Sequence, residues 1–185
     1  MKNYRRNHPQ FSLCGLNCAL CPIHNMERGC PGCGGGEGHQ SCRIITCSLE
    51  HGGPDFCSQC PQFPCDAHYT DDGIDIFIPK HRRCADLEKA ETQGLALYLA
   101  ELDEKEAALH HLLAHFNDGR RKSFFCTAVN LLPLADVQCV MQQIQVQAPL
   151  SAELKGRAAT AADLFQAMAQ RRGLSLKLRK KPRKK

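Results

Sequence analysis

The chain has 185 residues, 43% of them hydrophobic and 6% aromatic, with 13 cysteines and a formal net charge of +5. This length suits one domain or one small module joined to another, and no run of about 18 apolar residues predicts a membrane span. No apolar stretch follows Lys2, Arg5 and Arg6, so we expect no signal peptide and a cytoplasmic location in which thiols stay reduced.

Ten of the cysteines fall within residues 14–65, and three gaps between them have the C-x-x-C spacing. That spacing allows two thiolates of one tight turn to reach the same tetrahedral ion. The segment therefore predicts metal binding. The candidate ligands are Cys14, Cys18, Cys21, Cys30, Cys33, Cys42, Cys47, Cys57, Cys60 and Cys65.

The most specific fragment is CPGCG at residues 30–34, which has the sequence of a zinc knuckle. A glycine after the second cysteine allows a positive φ that lets backbone N–H groups point at the sulfurs. Four sulfurs close one site, so ten cysteines predict two sites with two thiols left over, and we expect two to three zinc ions. Which cysteines share an ion stays open. The candidates to complete a site are His24, His39, His51, His68 and Cys84.

An iron–sulfur cluster is the main alternative to zinc. Cys14, Cys18 and Cys21 have the C-x-x-x-C-x-x-C spacing of radical enzymes, and Cys21 and Cys60 are each followed by proline, as in ferredoxins. The βα pattern of the barrel that a radical enzyme needs is missing, although an electron-transfer cluster would not need it. Zinc is favoured.

Residues 11–68 show almost no apolar periodicity and contain many glycines. Such a segment buries too little surface to offset its ordering entropy, so we expect it to need metal in order to fold.

The chain after residue 68 becomes regular. Residues 74–78 predict a short strand or an extended connector. A first helix is expected over residues 86–101, weakened at Gly94. A second is expected to begin at Asp103 as N-cap and to end at residues 117–119. Three more are expected from about Ser123 to Pro133, from Pro133 onward, and between residues 151 and 170.

Cys126 and Cys139 lie in apolar helical surroundings and are expected to be small buried hydrophobes. Cys84 follows two arginines and could be a ligand or a thiol of lowered pKa. The histidines of the Asp103 helix lie opposite its apolar face and predict a solvated surface. No catalytic motif is present, so we expect no enzyme activity.

Nine of the 24 Lys and Arg residues lie in residues 171–185, where there is no acid, so the rest of the chain is mildly acidic. This tail is expected to be disordered, and it is a candidate arm for sequence-independent nucleic acid binding.

The strings CGLNCALCP, CPGCG and FCSQCPQFPC, together with the C-x4-C of Cys42 and Cys47, resemble a Cys-rich bacterial and archaeal family known as domain of unknown function 3795. The resemblance covers residues 13 to about 66, and residues 117–133 are similar to a companion helical region. It implies metal binding, with zinc as the expected ion, through the ten cysteines named above. It implies no mechanism.

We therefore expect an α-rich protein with an irregular, metal-stabilised zinc-knuckle segment, residues 1–83, packed on a helical bundle, residues 84–170, and followed by the tail, residues 171–185. The expected function is structural zinc binding that supports recognition of a protein or nucleic acid, without a membrane. The alternatives are an iron–sulfur electron-transfer protein or redox subunit, and a zinc store or donor.

Overall fold

The computed structural model describes residues 3–38 and 42–181, and within them the regular structure is helical, without strands. Short 3-10 helices at Cys18–Leu20 and Cys57–Gln59 lie in the Cys-rich segment. The α-helices are α1 Arg43–Glu50, α2 Asp66–Tyr69, α3 Arg83–Gln93, α4 Leu95–His115, α5 Lys122–Leu131, α6 Leu134–Gln147 and α7 Leu154–Arg171. None of the helices in these ranges is both long and apolar enough to cross a bilayer.

The main core forms where α4, α5, α6 and α7 pack together. The helices predicted over this region bury apolar residues at helical spacing: Leu109, Leu112 and Phe116 of the α4 region are almost fully buried, as are Val137 and Val140 of α6. Helical spacing places these side chains on one face, and that face is covered by the neighbouring helices.

The Cys-rich segment also contributes to this core. Phe11 and Leu20 are fully buried in it, and the Phe11 ring lies 4.6 Å from the ring of Tyr98 and 5.3 Å from that of Phe56. Leu13 and Ile45 form a second, smaller cluster inside the segment. The segment therefore buries apolar side chains despite its missing periodicity.

Two elements resolve or correct the sequence-based prediction. Of the two possibilities for residues 74–78, the strand is not formed and the segment is a connector, in which Asp75 is buried while Ile76 and Phe77 remain about half exposed. Asp103 does not cap a helix but lies inside α4, which begins at Leu95, after Gly94 with a φ of +91° separates α3 from α4.

The described part of the basic tail follows a defined path over the body. Leu176 is 5% exposed in the main core, and Arg172 forms two hydrogen bonds of 2.7 Å with Asp136. Arg179 pairs with Asp71 and Asp75. Apolar and acidic partners on the body thus contact residues 172–181 of the tail for which disorder was predicted, whereas residues 182–185 lie outside the described part.

Candidate metal centre

Four cysteines and two histidines line one small cavity of about 30 Å³. They come from separate short elements: α1, the 3-10 helix at Cys57–Gln59, and α2 with the residue before it. We name this group the Cys47 cluster, and its members are Cys47, Cys57, Cys60 and Cys65, with His51 and His68 beside them.

Local helix geometry brings two members of the Cys47 cluster together. Cys47 lies on α1 and His51 caps it one turn later, so Cys47 Sγ lies 3.6 Å from His51 Nδ1. Burial, followed by the charges of Cys65 and Cys60, raises the pKa of Cys47. Burial likewise raises the pKa of Cys57 to about 11, against a hydrogen bond with Tyr69. Thiolate charges that repel in this way are the charges that a cation would neutralise.

A second group gathers around Leu13 and Ile45. Cys33 is buried in this apolar cluster, with Cys18 and Cys42 packed against it. Burial raises the pKa of Cys18 well above its ordinary value, and the charges of Cys14 and Cys33 add to the shift. We name this group, Cys14, Cys18, Cys33 and Cys42, the Cys18 cluster.

The remaining two cysteines of the segment form a third group. Hydrogen bonds from Cys30 N to Ile23 O, 3.2 Å, and between His24 Nδ1 and Cys30 O, 2.6 Å, close the loop that joins Cys21 to Cys30. Burial is the main cause that raises the pKa of Cys126 to about 12, and the charge of Cys21 is the next. Cys21 and Cys30, with His24 and Cys126 beside them, are the Cys21 cluster.

The three groups suit a soft, tetrahedral ion in their donor types. Thiolate sulfur with imidazole nitrogen is the donor set of structural zinc, and each of the 13 cysteines is a free thiol. Among residues 3–38 and 42–181, however, no three or more His, Cys, Asp or Glu side chains are arranged to hold an ion.

The grouping separates residues that the C-x-x-C spacing would pair. Our grouping assigns Cys18 and Cys21 to different clusters, although the charge of Cys21 also raises the pKa of Cys18, and it likewise separates Cys30 from Cys33. Only Cys57 and Cys60 stay together, around the same cavity.

The knuckle turn itself has the expected backbone. Gly34 has a φ of +75°, as the sequence predicts. Gly32 has a φ of +87° and lies so close to Pro9 that an added Cβ would be 2.3 Å from the Pro9 carbonyl oxygen. Cys33 N donates to that same oxygen at 2.9 Å, so a backbone hydrogen bond holds the knuckle against the N-terminal segment before Phe11.

The other cysteines and histidines have mixed outcomes. Cys126 is fully buried, as predicted, but Cys139 is exposed rather than buried. Burial outweighs the charge of Arg83 and raises the pKa of Cys84, so the thiol of lowered pKa, one of two possibilities named for this residue, is not found. His110 and His111 are exposed on α4, as expected, whereas His39 lies outside the described residues.

Tyr69 is a residue at this centre that the sequence did not indicate. Its hydroxyl donates to the Cys14 carbonyl at 3.2 Å, and it also interacts with Cys57, so it links the Cys18 and Cys47 clusters. Only its position, four residues after Cys65, gave a signal.

Comparison with protein families, curated proteins and solved structures found no match for this chain.

Proposed function

We propose that this protein binds two to three zinc ions through the ten cysteines of residues 14–65, and that the ions hold the Cys-rich segment against the helices. The observation that carries the proposal is the single cavity lined by Cys47, Cys57, Cys60 and Cys65. These four free thiols come from three separate elements and line the same cavity, and cysteines kept reduced are more often metal ligands or catalytic groups than disulfide partners.

The number of ions follows from the clusters. The Cys47 and Cys18 clusters each supply four sulfurs, enough for one closed site apiece. A third ion at the Cys21 cluster would need His24 and Cys126 in addition to Cys21 and Cys30. The resemblance to domain of unknown function 3795 supports the same ten ligands.

A structural role suits these surroundings better than a catalytic one. Cys14 and Cys33 are only 6% exposed, which leaves little access for a substrate. Catalytic zinc keeps an open coordination position, whereas four sulfurs fill the shell.

Elemental analysis of protein purified without oxygen tests the proposal. We expect two to three zinc ions per chain and no iron, in a colourless protein. The Cys139→Ser variant, which changes an exposed thiol outside the clusters, is the matched control and should keep the full count. Iron with sulfide in a brown protein would instead establish the electron-transfer alternative. Zinc that leaves for a chelator without any change in circular dichroism would favour a zinc store.

The proposed role includes recognition of a macromolecule, and the exposed lysines of the tail are the candidate residues for contacting nucleic acid. Lys177, Lys180 and Lys181 are exposed, whereas Arg172 and Arg179 are engaged with carboxylates of the body. Replacing these three lysines by glutamine should weaken binding to a random single-stranded oligonucleotide and reduce its salt dependence, because phosphate contacts carry both. Unchanged binding by the triple variant would exclude the tail as the contact.

A further inference from the structure

A second, polar cavity lies away from the cysteine clusters, between α3, α4, the end of α5 and the Cys-rich segment. Its volume is about 90 Å³, which is room for several water molecules or one small ion. Charged side chains line it from two helices: Arg82, at the N-cap of α3, with Asp86 and Lys89, and Glu101 with Lys105 of α4. Three cations thus face two carboxylates.

Lys105 is the least compensated of these charges. It is 9% exposed, and its Nζ forms no hydrogen bond with the described residues. The closest carboxylate, Glu101, is 3.8 Å away and is already engaged by Lys89 at 2.5 Å. Burial lowers the pKa of Lys105 to about 8. An ammonium on a side chain that is only 11% exposed, with three unused donors, is costly unless an acceptor reaches it.

Arg82 supplies a second unused donor. Its Nε is buried and has no hydrogen-bond partner in the part of the chain that the structure describes. Its guanidinium lies 3.7 Å from Asp86, too far for a hydrogen bond. Buried donors without partners are rare in folded proteins, and an unplaced ligand is one of the recognised reasons for them.

The carboxylate of Asp86 is held from the other side of the cavity. Asn17 Nδ2 donates to Asp86 Oδ2 at 3.2 Å, and Tyr98 donates to Asn17 Oδ1 at 2.9 Å. Burial is the main cause that raises the pKa of Asp86 to about 6. The carboxylates of the cavity are therefore already hydrogen-bonded or have a raised pKa, and the unused hydrogen-bond donors belong to the cations.

We propose that this cavity binds a small oxyanion, the phosphate or carboxylate group of a ligand, between Lys105 and Arg82. Oxygen atoms with several lone pairs match unused N–H donors, and the surplus positive charge favours an anion over a cation or a neutral molecule. Such a site is independent of the zinc proposal, because it uses none of the ten cysteines.

Isothermal titration of the purified protein tests this site, with inorganic phosphate and acetate as separate probes at constant ionic strength. We expect one of them to bind with a dissociation constant of about 1 mM or tighter. Binding of phosphate alone would identify a phosphate ligand, and binding of acetate alone a carboxylate. The absence of binding by both probes, or binding only at tens of millimolar, would overturn the proposal.

Matched variants assign the binding to the cavity. Lys105→Met should weaken it at least about tenfold, because a charge-assisted hydrogen bond is lost. Asp86→Asn should tighten it, because one repelling carboxylate is removed while Asn17 keeps an acceptor. Lys155→Met, at an exposed lysine of α7, should leave it unchanged. If Lys105→Met does not fold, Asp86→Asn decides: binding that is weaker or unchanged in that variant contradicts the site.

Discussion

The hydroxyl of Tyr98 on α4 donates a hydrogen bond of 2.9 Å to Oδ1 of Asn17, the residue directly before Cys18. The amide of Asn17 in turn donates to Asp86 of α3. Both residues are about 95% buried, so the Tyr98 hydroxyl and Oδ1 of Asn17 rely on each other as hydrogen-bond partners. The helices therefore fix the backbone that carries Cys18, before any ion is considered.

Removing the Tyr98 hydroxyl should loosen that connection. Tyr98→Phe leaves Oδ1 of buried Asn17 without its donor, and we expect a loss of about 1–2 kcal/mol in the free energy of unfolding, measured with denaturant. Tyr4→Phe is the control, because the Tyr4 hydroxyl forms no hydrogen bond with the described residues, and it should change stability by less than about 0.5 kcal/mol. Equal effects of the two changes would contradict the role of the Tyr98–Asn17 contact.

The glycine of the knuckle turn should tolerate no side chain. In Gly32→Ala the new Cβ would meet the Pro9 carbonyl oxygen at 2.3 Å, in addition to the strain of a positive φ, so we expect a loss of about 2 kcal/mol or more. Gly119 has nearly the same φ, +85°, but open space around it. Gly119→Ala should therefore cost only the backbone strain of about 1 kcal/mol. A similar loss in both variants would show that the Pro9 contact does not matter.

Metal removal should act unevenly along the Cys-rich segment. Phe11 and Leu20 belong to the main core, whereas Cys47, Cys60 and Cys65 are only partly buried and line a cavity. After chelation, hydrogen exchange should become fast in residues 42–65 and stay slow near Leu20 and in α4 and α5. Protection that stays unchanged in residues 42–65 after verified metal loss would contradict a structural role for the ions.

The tail contact should make stability depend on pH. Arg179 donates two side-chain hydrogen bonds to Asp75 and one to Asp71, and the Asp75 side chain is 1% exposed. Burial alone would raise the pKa of Asp75, but hydrogen bonds from Arg179 and Lys80 hold it well below its usual range. A lowered folded-state pKa gives stabilisation that is present above the unfolded value of about 3.9 and is lost as the pH falls towards the folded-state pKa.

Arg179→Gln should therefore lower the midpoint of thermal unfolding at pH 7, and the difference from the wild type should shrink below about pH 4. Arg171→Gln is the control, because Arg171 is exposed and forms no ion pair within the described residues. A pH-independent difference for Arg179→Gln would mean that Asp75 is not its partner.

Much of the helical half could be predicted from the sequence, because its signals are local. Asn117 to Gly119 end one helix region, Pro133 precedes another, and the apolar spacing of Val137 and Val140 identifies the buried face. The break at Gly94 was underestimated, since a single glycine is usually a weak signal.

The rest depended on contacts between distant residues. Asp75 is inward because Arg179, 104 residues later, pairs with it, and no local pattern indicates that. The polar cavity brings together Asn17 and Lys105, which are far apart in the sequence. One local signal pointed to Lys105, because it lies on the same face of α4 as the buried residues Leu102 and Leu109. The distribution of cysteines among clusters is likewise set by the path of the chain, and the sequence spacing of the cysteines alone does not decide which of them lie together.

The most direct test of the cysteine clusters is a zinc count by native mass spectrometry on paired substitutions. Cys33 and Cys42 belong to one cluster, so Cys33→Ser, Cys42→Ser and the double variant should each lose the same single ion. Cys42 and Cys47 are close in sequence but belong to different clusters, so their double serine variant should lose two ions. A loss of two ions from the Cys33 and Cys42 double variant, or of one from the Cys42 and Cys47 double variant, would contradict the account, as would wild-type protein that binds no zinc.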